Sequence, residues 1–215
     1  MMTIKKEKLN FYLYAFSLTT LALGFVKGQL KEQNYFSLYL FTRQTVVLVN
    51  IYFIIVFCTG KENNKYFSFI TFINSTLTMV LYAIGKGSQQ SFFNYNPGFS
   101  NLVAILEHYI LMPIFIIYYF SADTTSLKIK QFYIGSIYPL IYFVTSMILG
   151  VTSGNDKFPY DVLKKYNTEK IKFFIFVSII TVFIVSTSVL SIFFKNKTLN
   201  DEQIFFLKRP KKRRK

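Results

Sequence analysis

Cysteine, histidine and tryptophan are nearly or wholly missing from this 215-residue sequence, which has one Cys, one His and no Trp. A single cysteine, Cys58, excludes an intrachain disulfide, and one Cys with one His excludes a zinc site of the Cys/His kind. Catalytic and nucleotide-binding signatures are also missing: there is no GxSxG, no GxGxxG and no paired-carboxylate array. The "GKGS" at Gly85–Ser88 lacks the upstream glycine spacing and the strand of a phosphate loop. We therefore predict no metal and no other cofactor.

Apolar residues, in contrast, make up 52% of the chain, and aromatic residues 20%. Long apolar runs predict membrane spans, and in lipid such runs must be helices because every backbone amide needs an internal partner. The sequence therefore predicts an all-α fold, a polytopic bundle of six transmembrane helices occupying residues 1–194, followed by a basic cytoplasmic tail at 195–215. The predicted spans are roughly Leu9–Val26, Ser37–Thr59, Tyr66–Ile84, Leu102–Phe120, Phe132–Gly150 and Ile171–Phe194.

The net charge of +15 lies mainly in the connections and in the C-terminal "KRPKKRRK". More Lys and Arg residues lie at the two termini and in the second and fourth loops than on the other side. This excess favours a multi-pass protein of the cell membrane with both termini in the cytoplasm. For the tail we favour contact with anionic lipid, ahead of a simple topology anchor. A nucleic-acid partner is not expected.

The first span has a second interpretation as a cleaved signal peptide. Basic residues in "IKKEK" precede an apolar run that ends in the small residues "ALG", which is the pattern of a signal sequence. Cleavage there would leave five spans and separate the termini across the membrane.

Three ionisable residues interrupt the spans: Arg43, Glu107 and His108. Such residues are costly in lipid and usually paired or functional. Both spans that carry them run inward, and Thr42, Arg43, Glu107 and His108 all lie about six residues in, roughly 8–10 Å below the outer end of their helices. The sequence therefore predicts a shared polar layer in the outer half of the bilayer.

One arrangement of this layer pairs Arg43 with Glu107 and brings Thr42 to His108. Adjacent helix positions diverge by about 100°, so the two pairs can form side by side. Other interpretations stay open. Thr42 can bond to its own helix backbone, His108 can be a structural bridge between helices, and Arg43 can extend to the outer surface.

Several motifs occur in a specific order along the chain: "LFTRQTVVLVN" in span two, His108-x4-Pro113 in span four, "YPLIYFVTSMILG" in span five and "FPYDVL" in the next loop. This ordered set resembles the androgen-induced/androgen-dependent family of six-span membrane proteins and their bacterial relatives. Animal members are threonine-type hydrolases of fatty acid esters of hydroxy fatty acids. The resemblance implies that Thr42 is the nucleophile and His108 the base.

A hydrolase of this kind also needs groups that stabilise an oxyanion and a cover over the site. The candidates for oxyanion stabilisation or support are Arg43, Glu107, Tyr109, Tyr138 and Tyr160. In the loop after span five, Phe158, Pro159, Tyr160 and Asp161 are candidates for a lid. The alternative is that this loop is a plain turn with an aromatic anchor at the membrane surface.

The predicted function is therefore an integral membrane hydrolase of lipid esters, with membrane lipids as its partners and no predicted protein partner. The alternative is a small-solute transporter, or the substrate-binding subunit of a vitamin importer. Many such subunits carry Ala-x-x-x-Ala in span one, whereas Ala15 and Ala22 here are seven apart. A membrane scaffold without catalysis is the third hypothesis.

Overall fold

The computed structural model describes residues 2–30, 38, 40–60, 64–87, 98–154 and 158–208, with the backbone alone in 2–6, 85–87, 161–162 and 200–208. Six helices within these ranges are long and apolar enough to cross a membrane, which confirms the predicted all-α bundle. The helices are α1 Met2–Leu30, α2 Phe41–Thr59, α3 Lys65–Gly87, α4 Phe99–Ser121, α5 Ile134–Ser153, α6 Asp161–Thr168 and α7 Lys170–Lys208. A single turn of 3-10 helix, Ile129–Gln131, precedes α5, and the "GKGS" motif runs from the end of α3 out of the described part.

The spanning helices alternate in direction, so the bundle has a termini side and a far side. The termini side carries the start of α1, the end of α7 and the points at which α2 and α4 end, and the far side carries the points at which α1, α3 and α5 end. Helix α3 is central and packs against α2, α4, α5 and α7, while α1 packs against α2 and the first half of α4. In each of α2, α3 and α4, 50% of the most apolar 18-residue stretch is buried inside the bundle. The corresponding shares are 22% in α1 and 17% in α7. The outer helices therefore present most of their apolar side chains outward, as lipid contact requires.

Aromatic side chains fill the core between α2 and α4. The Tyr52 and Phe115 rings meet edge to face at 5.0 Å, and the Phe53 and Tyr118 rings do so at 5.3 Å. Edge-to-face contacts place the positive edge of one ring against the negative face of another, which adds to the energy of burial. These rings fix α2 against α4 below the predicted polar layer.

Helix α4 contains a π-helical segment, Leu106–Leu111, and then resumes as α-helix at Met112. Pro113 supplies the local reason, because its nitrogen has no hydrogen to donate to the carbonyl of Tyr109 four residues earlier. A π segment widens the turn and is frequent at functional sites. Glu107 and His108 both lie within it.

Helix α5 approaches α3 and α7 closely at Gly135. A Cβ at that position would lie 2.6 Å from Ser188 Oγ and 2.8 Å from a side-chain carbon of Ile73. Only glycine therefore fits at this three-helix contact. Pro139, four residues further on, removes the hydrogen bond that the Gly135 carbonyl would otherwise accept.

Helix α7 continues without interruption past residue 194, where the sequence places the boundary between the bundle and the tail. Lys195 is 1% exposed and lies inside the bundle. The helical backbone is described to Lys208, and the basic cluster at 209–215 lies outside the described residues.

Candidate functional site

Arg43 and Glu107 form a buried ion pair on the far side of the bundle. Arg43 Nη1 donates to Glu107 Oε1, and the two residues are 5% and 2% exposed. This confirms the predicted pairing and shows that the first turn of α2 lies at the depth of the π-helical segment of α4. Lys27 of α1 adds a further positive charge that acts on Glu107.

Helix α1 makes room for this ion pair by having glycine at position 24. A Cβ on Gly24 would collide with the guanidinium of Arg43 and the carboxylate of Glu107. The next residue, Phe25, places its ring 5.9 Å from Arg43 Cζ, which is within the range of a cation–π contact. The charged pair is therefore enclosed by α1, α2 and α4, with an aromatic face beside it.

His108 is buried next to the ion pair and stacks on Tyr82 of α3. The two ring centroids are 3.6 Å apart and the ring planes are 8° from parallel. Tyr109 contacts the same Tyr82 ring edge to face, with centroids 5.4 Å apart. His108 is thus held in one orientation by α3, within the layer that the sequence predicts.

Thr42 is turned away from His108. Its side chain is hydrogen-bonded to Tyr160, and within the described chain no hydrogen bond joins it to His108. The reason is the helical angle: α2 directs Arg43 toward α4, so the preceding residue faces the connection after α5. The predicted contact between Thr42 and His108 is therefore not formed in this structure, although both residues flank the same ion pair.

Two tyrosines cap the start of α2. Tyr160 is hydrogen-bonded to the backbone of Phe41 and Thr42, and the Phe41 N–H donates to the Tyr142 hydroxyl at 3.2 Å. Leu40, the N-cap residue, has no side chain able to make this bond. Burial raises the pKa of Tyr160, so its phenol is neutral and can donate a hydrogen bond at physiological pH. Tyr142, which the sequence does not single out, belongs to the same cluster.

The remaining support and lid candidates lie around this tyrosine cluster. Tyr138 donates to Gln44 Oε1 at 2.8 Å, which joins α5 to α2 one turn below Phe41. Phe158 is buried, and its ring fills the space that a Cβ on Gly150 would occupy. Pro159 is half-buried, whereas Asp161 begins α6 and its side chain lies outside the described residues.

A second buried ion pair lies on the termini side and was missed by the sequence analysis. Lys195 Nζ is 3.2 Å from Asp123 Oδ1, and both side chains are fully buried. The carboxylate of Asp123 also accepts hydrogen bonds from Tyr52, Ser68 and Thr125. Two signals mark this cluster in the sequence: Asp123 lies within three residues of the predicted end of span four, and Lys195 directly follows the predicted end of span six.

The electrostatics of Asp123 reflect these partners. Burial by itself would raise the pKa of Asp123, but Lys195 and the hydrogen bonds from Ser68, Thr125 and Tyr52 outweigh it and hold the pKa below its usual value. The carboxylate is therefore ionised at neutral pH. Lys195 also donates to the Tyr119 carbonyl and lies 3.4 Å from the centroid of the Tyr119 ring.

Chemically, the far side offers a hydroxyl at Thr42, neutral phenol donors at Tyr160 and Tyr142, an imidazole at His108 and a buried guanidinium. Among the described side chains there is no group of three or more His, Cys, Asp or Glu residues that could hold a metal ion. Comparison of the chain with models of known families, with characterised proteins and with solved structures finds no match.

Proposed function

We propose that this protein is an integral membrane hydrolase of lipid esters, with Thr42 as nucleophile and His108 as general base. The observation that carries the proposal is the hydrogen bond between Thr42 and half-buried Tyr160. This hydrogen bond sets the Thr42 hydroxyl beside a neutral phenol, and the residues that follow Thr42 and precede His108 form the Arg43–Glu107 ion pair, which supports a common depth for Thr42 and His108. A hydroxyl, an oxyanion donor and an imidazole in one layer are the parts that ester hydrolysis needs.

In the proposed reaction, Thr42 Oγ bonds to the ester carbonyl carbon as its proton passes to His108. Tyr160 donates to the oxygen that becomes negative. The bond to the leaving alcohol then breaks, and His108 returns the proton to that alcohol. Water next attacks the acyl carbon, the bond to Thr42 Oγ breaks, and a proton returns to Oγ.

This assignment requires one rearrangement. Thr42 must exchange its hydrogen bond with Tyr160 for one with His108 when an ester binds, which is consistent with catalytic hydrogen bonds that tighten only in the substrate complex. The connection that carries Phe158 and Tyr160 would move in the same step, which gives the lid candidates a function. The ester would enter laterally from lipid, with its acyl chains along the apolar helix faces.

The test is covalent labelling of the purified full-length protein with a fluorophosphonate probe. Labelling and lipid-ester turnover should both be lost in Thr42→Ala, and turnover should be lost in His108→Ala. Thr145 is a matched control, because it is an exposed threonine of α5 bonded only to its own backbone at the Ile141 carbonyl. Thr145→Ala should label as the unmodified protein does. Absence of labelling, or equal labelling of Thr42→Ala, would overturn the proposal.

The second candidate is transport of a small solute, and the pair of buried ionic clusters favours it. Arg43–Glu107 and Lys195–Asp123 lie at opposite ends of one bundle, and membrane-embedded ionisable groups often mark a substrate or ion pathway. Reconstituted vesicles distinguish the two candidates. Solute uptake that is lost in Glu107→Gln and retained in Thr42→Ala would favour transport over hydrolysis.

The location that we propose is the cell membrane, with both termini in the cytoplasm and the Thr42 layer in the outer half of the bilayer. The excess of Lys and Arg on the termini side supports this orientation. We further propose that the basic C-terminal residues contact anionic lipid. Accessibility of cysteines introduced at each end of the chain in intact cells would test the orientation.

A further inference from the structure

Asn74 and Ser75 lie at the centre of the third span, Lys65–Ile84, and neither is exposed. Asn74 Nδ2, Asn74 Oδ1 and Ser75 Oγ have no hydrogen-bond partner within the described chain. Three polar atoms in the middle of a membrane bundle thus face neither lipid nor a protein partner.

The neighbouring polar residues of α3 are satisfied by the protein. Ser68 donates to Asp123, Thr71 donates to the Phe67 carbonyl at 2.8 Å, and Thr78 donates to Thr45 Oγ1 at 3.0 Å. Among the described side chains of α3, the shortage of partners is therefore confined to two adjacent residues. It is not a general property of small polar residues at the contacts of α3.

Leaving these atoms without a partner would be costly. Within a bilayer no bulk water reaches the protein interior, and each unsatisfied polar group costs several kcal/mol. Buried polar groups that lack a protein partner are normally satisfied by an internal ligand, most often water. Asn74 and Ser75 therefore indicate a bound molecule at this level.

The chemistry of the two side chains limits what that molecule can be. The Asn74 amide has one donor group and one acceptor group, so a bare cation would leave Nδ2 unsatisfied and an anion would leave Oδ1 unsatisfied. The two charged layers are also distant. Ser68, which contacts Asp123 on the termini side, is six residues from Asn74, about 9 Å along the helix. Tyr82, which stacks on His108 on the far side, is eight residues from Asn74, about 12 Å along the helix. The ligand must be neutral and must both donate and accept.

We propose that Asn74 and Ser75 bind water in the middle of the bundle. Thr78, one turn further toward the far side, is bonded to Thr45, which lies on the same face of α2 as Thr42. If the proposed function holds, this water is the supply for release of the acyl group from Thr42, in a site that lipid otherwise keeps dry. That role rests on the proposed function, whereas the binding of water does not.

The test is water-edited solid-state NMR of the full-length protein in lipid bilayers, with its asparagines labelled by ¹⁵N. Magnetisation should pass from water to the Asn74 side-chain amide, whose signal is assigned by its loss in Asn74→Leu. Asn50 is the matched control, since it is also buried but its side-chain amide donates to the Ser17 and Val46 carbonyls. Its amide should receive magnetisation more slowly, and Ser75→Ala should weaken the transfer to Asn74.

Equal slow transfer to Asn74 and Asn50 would overturn the inference. A rise in the melting temperature of Asn74→Leu would do so too, because an amide with no ligand should be stabilised by an apolar replacement. Transfer from an added alcohol in place of water would assign the site to the hydroxyl of a lipid or product.

The catalytic role has its own readout: in Asn74→Leu the acyl adduct on Thr42 should accumulate. No adduct in any variant, with intact water transfer, would reject the proposed function and leave the water site standing.

Discussion

The two buried ion pairs of this bundle differ in how completely their polar atoms are satisfied. On the termini side, Asp123 accepts hydrogen bonds from four residues, and Lys195 also bonds to a backbone carbonyl and lies over an aromatic ring. On the far side, Arg43 Nε has no hydrogen-bond partner among the described residues. A saturated network is rigid and has no capacity left for a ligand, whereas an undersatisfied one can still bind. The saturated cluster is suited to a structural role, and the undersatisfied cluster is the one at which we propose the functional site.

The most severe test of this comparison is Asp123→Ala. We expect the free energy of unfolding to fall by about 3–5 kcal/mol, because Lys195 would remain buried without its partner. The measurement is unfolding of the full-length protein by denaturant in mixed detergent micelles. Asp123→Asn combined with Lys195→Met should recover most of the loss. A loss below about 1 kcal/mol for Asp123→Ala would remove the structural role from this cluster.

Glu107→Ala should destabilise the protein less, by about 1–3 kcal/mol. Arg43 lies in the first turn of α2, so its guanidinium can move outward along its flexible stem to the far surface. The same unfolding titration compares the two alanine variants directly. If Glu107→Ala proves the more destabilising, the assignment of structural and functional clusters is reversed.

Gly24→Ala addresses the packing around the far-side pair. The added Cβ would collide with Arg43 and Glu107, so we expect a loss of about 1–3 kcal/mol as α1 moves away. Gly98 offers a control, because a Cβ there would meet no atom within 4 Å. Thermal unfolding should therefore distinguish the two alanine variants, and equal melting temperatures would contradict the described contact of α1 with the pair.

Tyr160→Phe should have a smaller effect, about 1 kcal/mol, because it removes one hydroxyl from the cap of α2. Tyr133→Phe is its control, since Tyr133, the residue before α5, is 56% exposed. Chemical denaturation of both variants measures the difference. If Tyr160→Phe lowers the free energy of unfolding as much as Asp123→Ala does, the tyrosine cluster, too, is mainly structural.

The smallest expected effect is that of pH on the Asp123 cluster. Since the folded pKa of Asp123 lies below its unfolded value, near 3.9, its contribution to stability is complete above that value and is lost as pH falls through the folded pKa. The difference in unfolding free energy between the unmodified protein and Asp123→Asn should be constant from about pH 8 to pH 5 and narrow only in acid. A difference that changes between pH 6 and pH 8 would show that the pKa is raised instead.

The sequence by itself determined the membrane architecture and the depth of the far-side layer. Apolar runs of this length must form spanning helices, and similar distances from the predicted span ends placed Arg43 and Glu107 at one level. The ion pair confirms the shared level, although α2 begins at Phe41 and α4 at Phe99, so that Arg43 and Glu107 lie at different distances from their helix starts. Local periodicity could not decide which side chains meet within that level. The angle at which α2 faces α4 turns Thr42 toward Tyr160 and away from His108.

Only the tertiary structure decided the remaining contacts, because they join residues far apart in the chain. Lys195 is in the basic tail by sequence, yet it is buried because α7 continues past the predicted boundary and meets Asp123 after α4. Gly24 appears unremarkable in an apolar run, and its importance comes from two side chains on other helices. Hydropathy measures the transfer of each residue into lipid, whereas these contacts depend on how the rigid helices pack against one another.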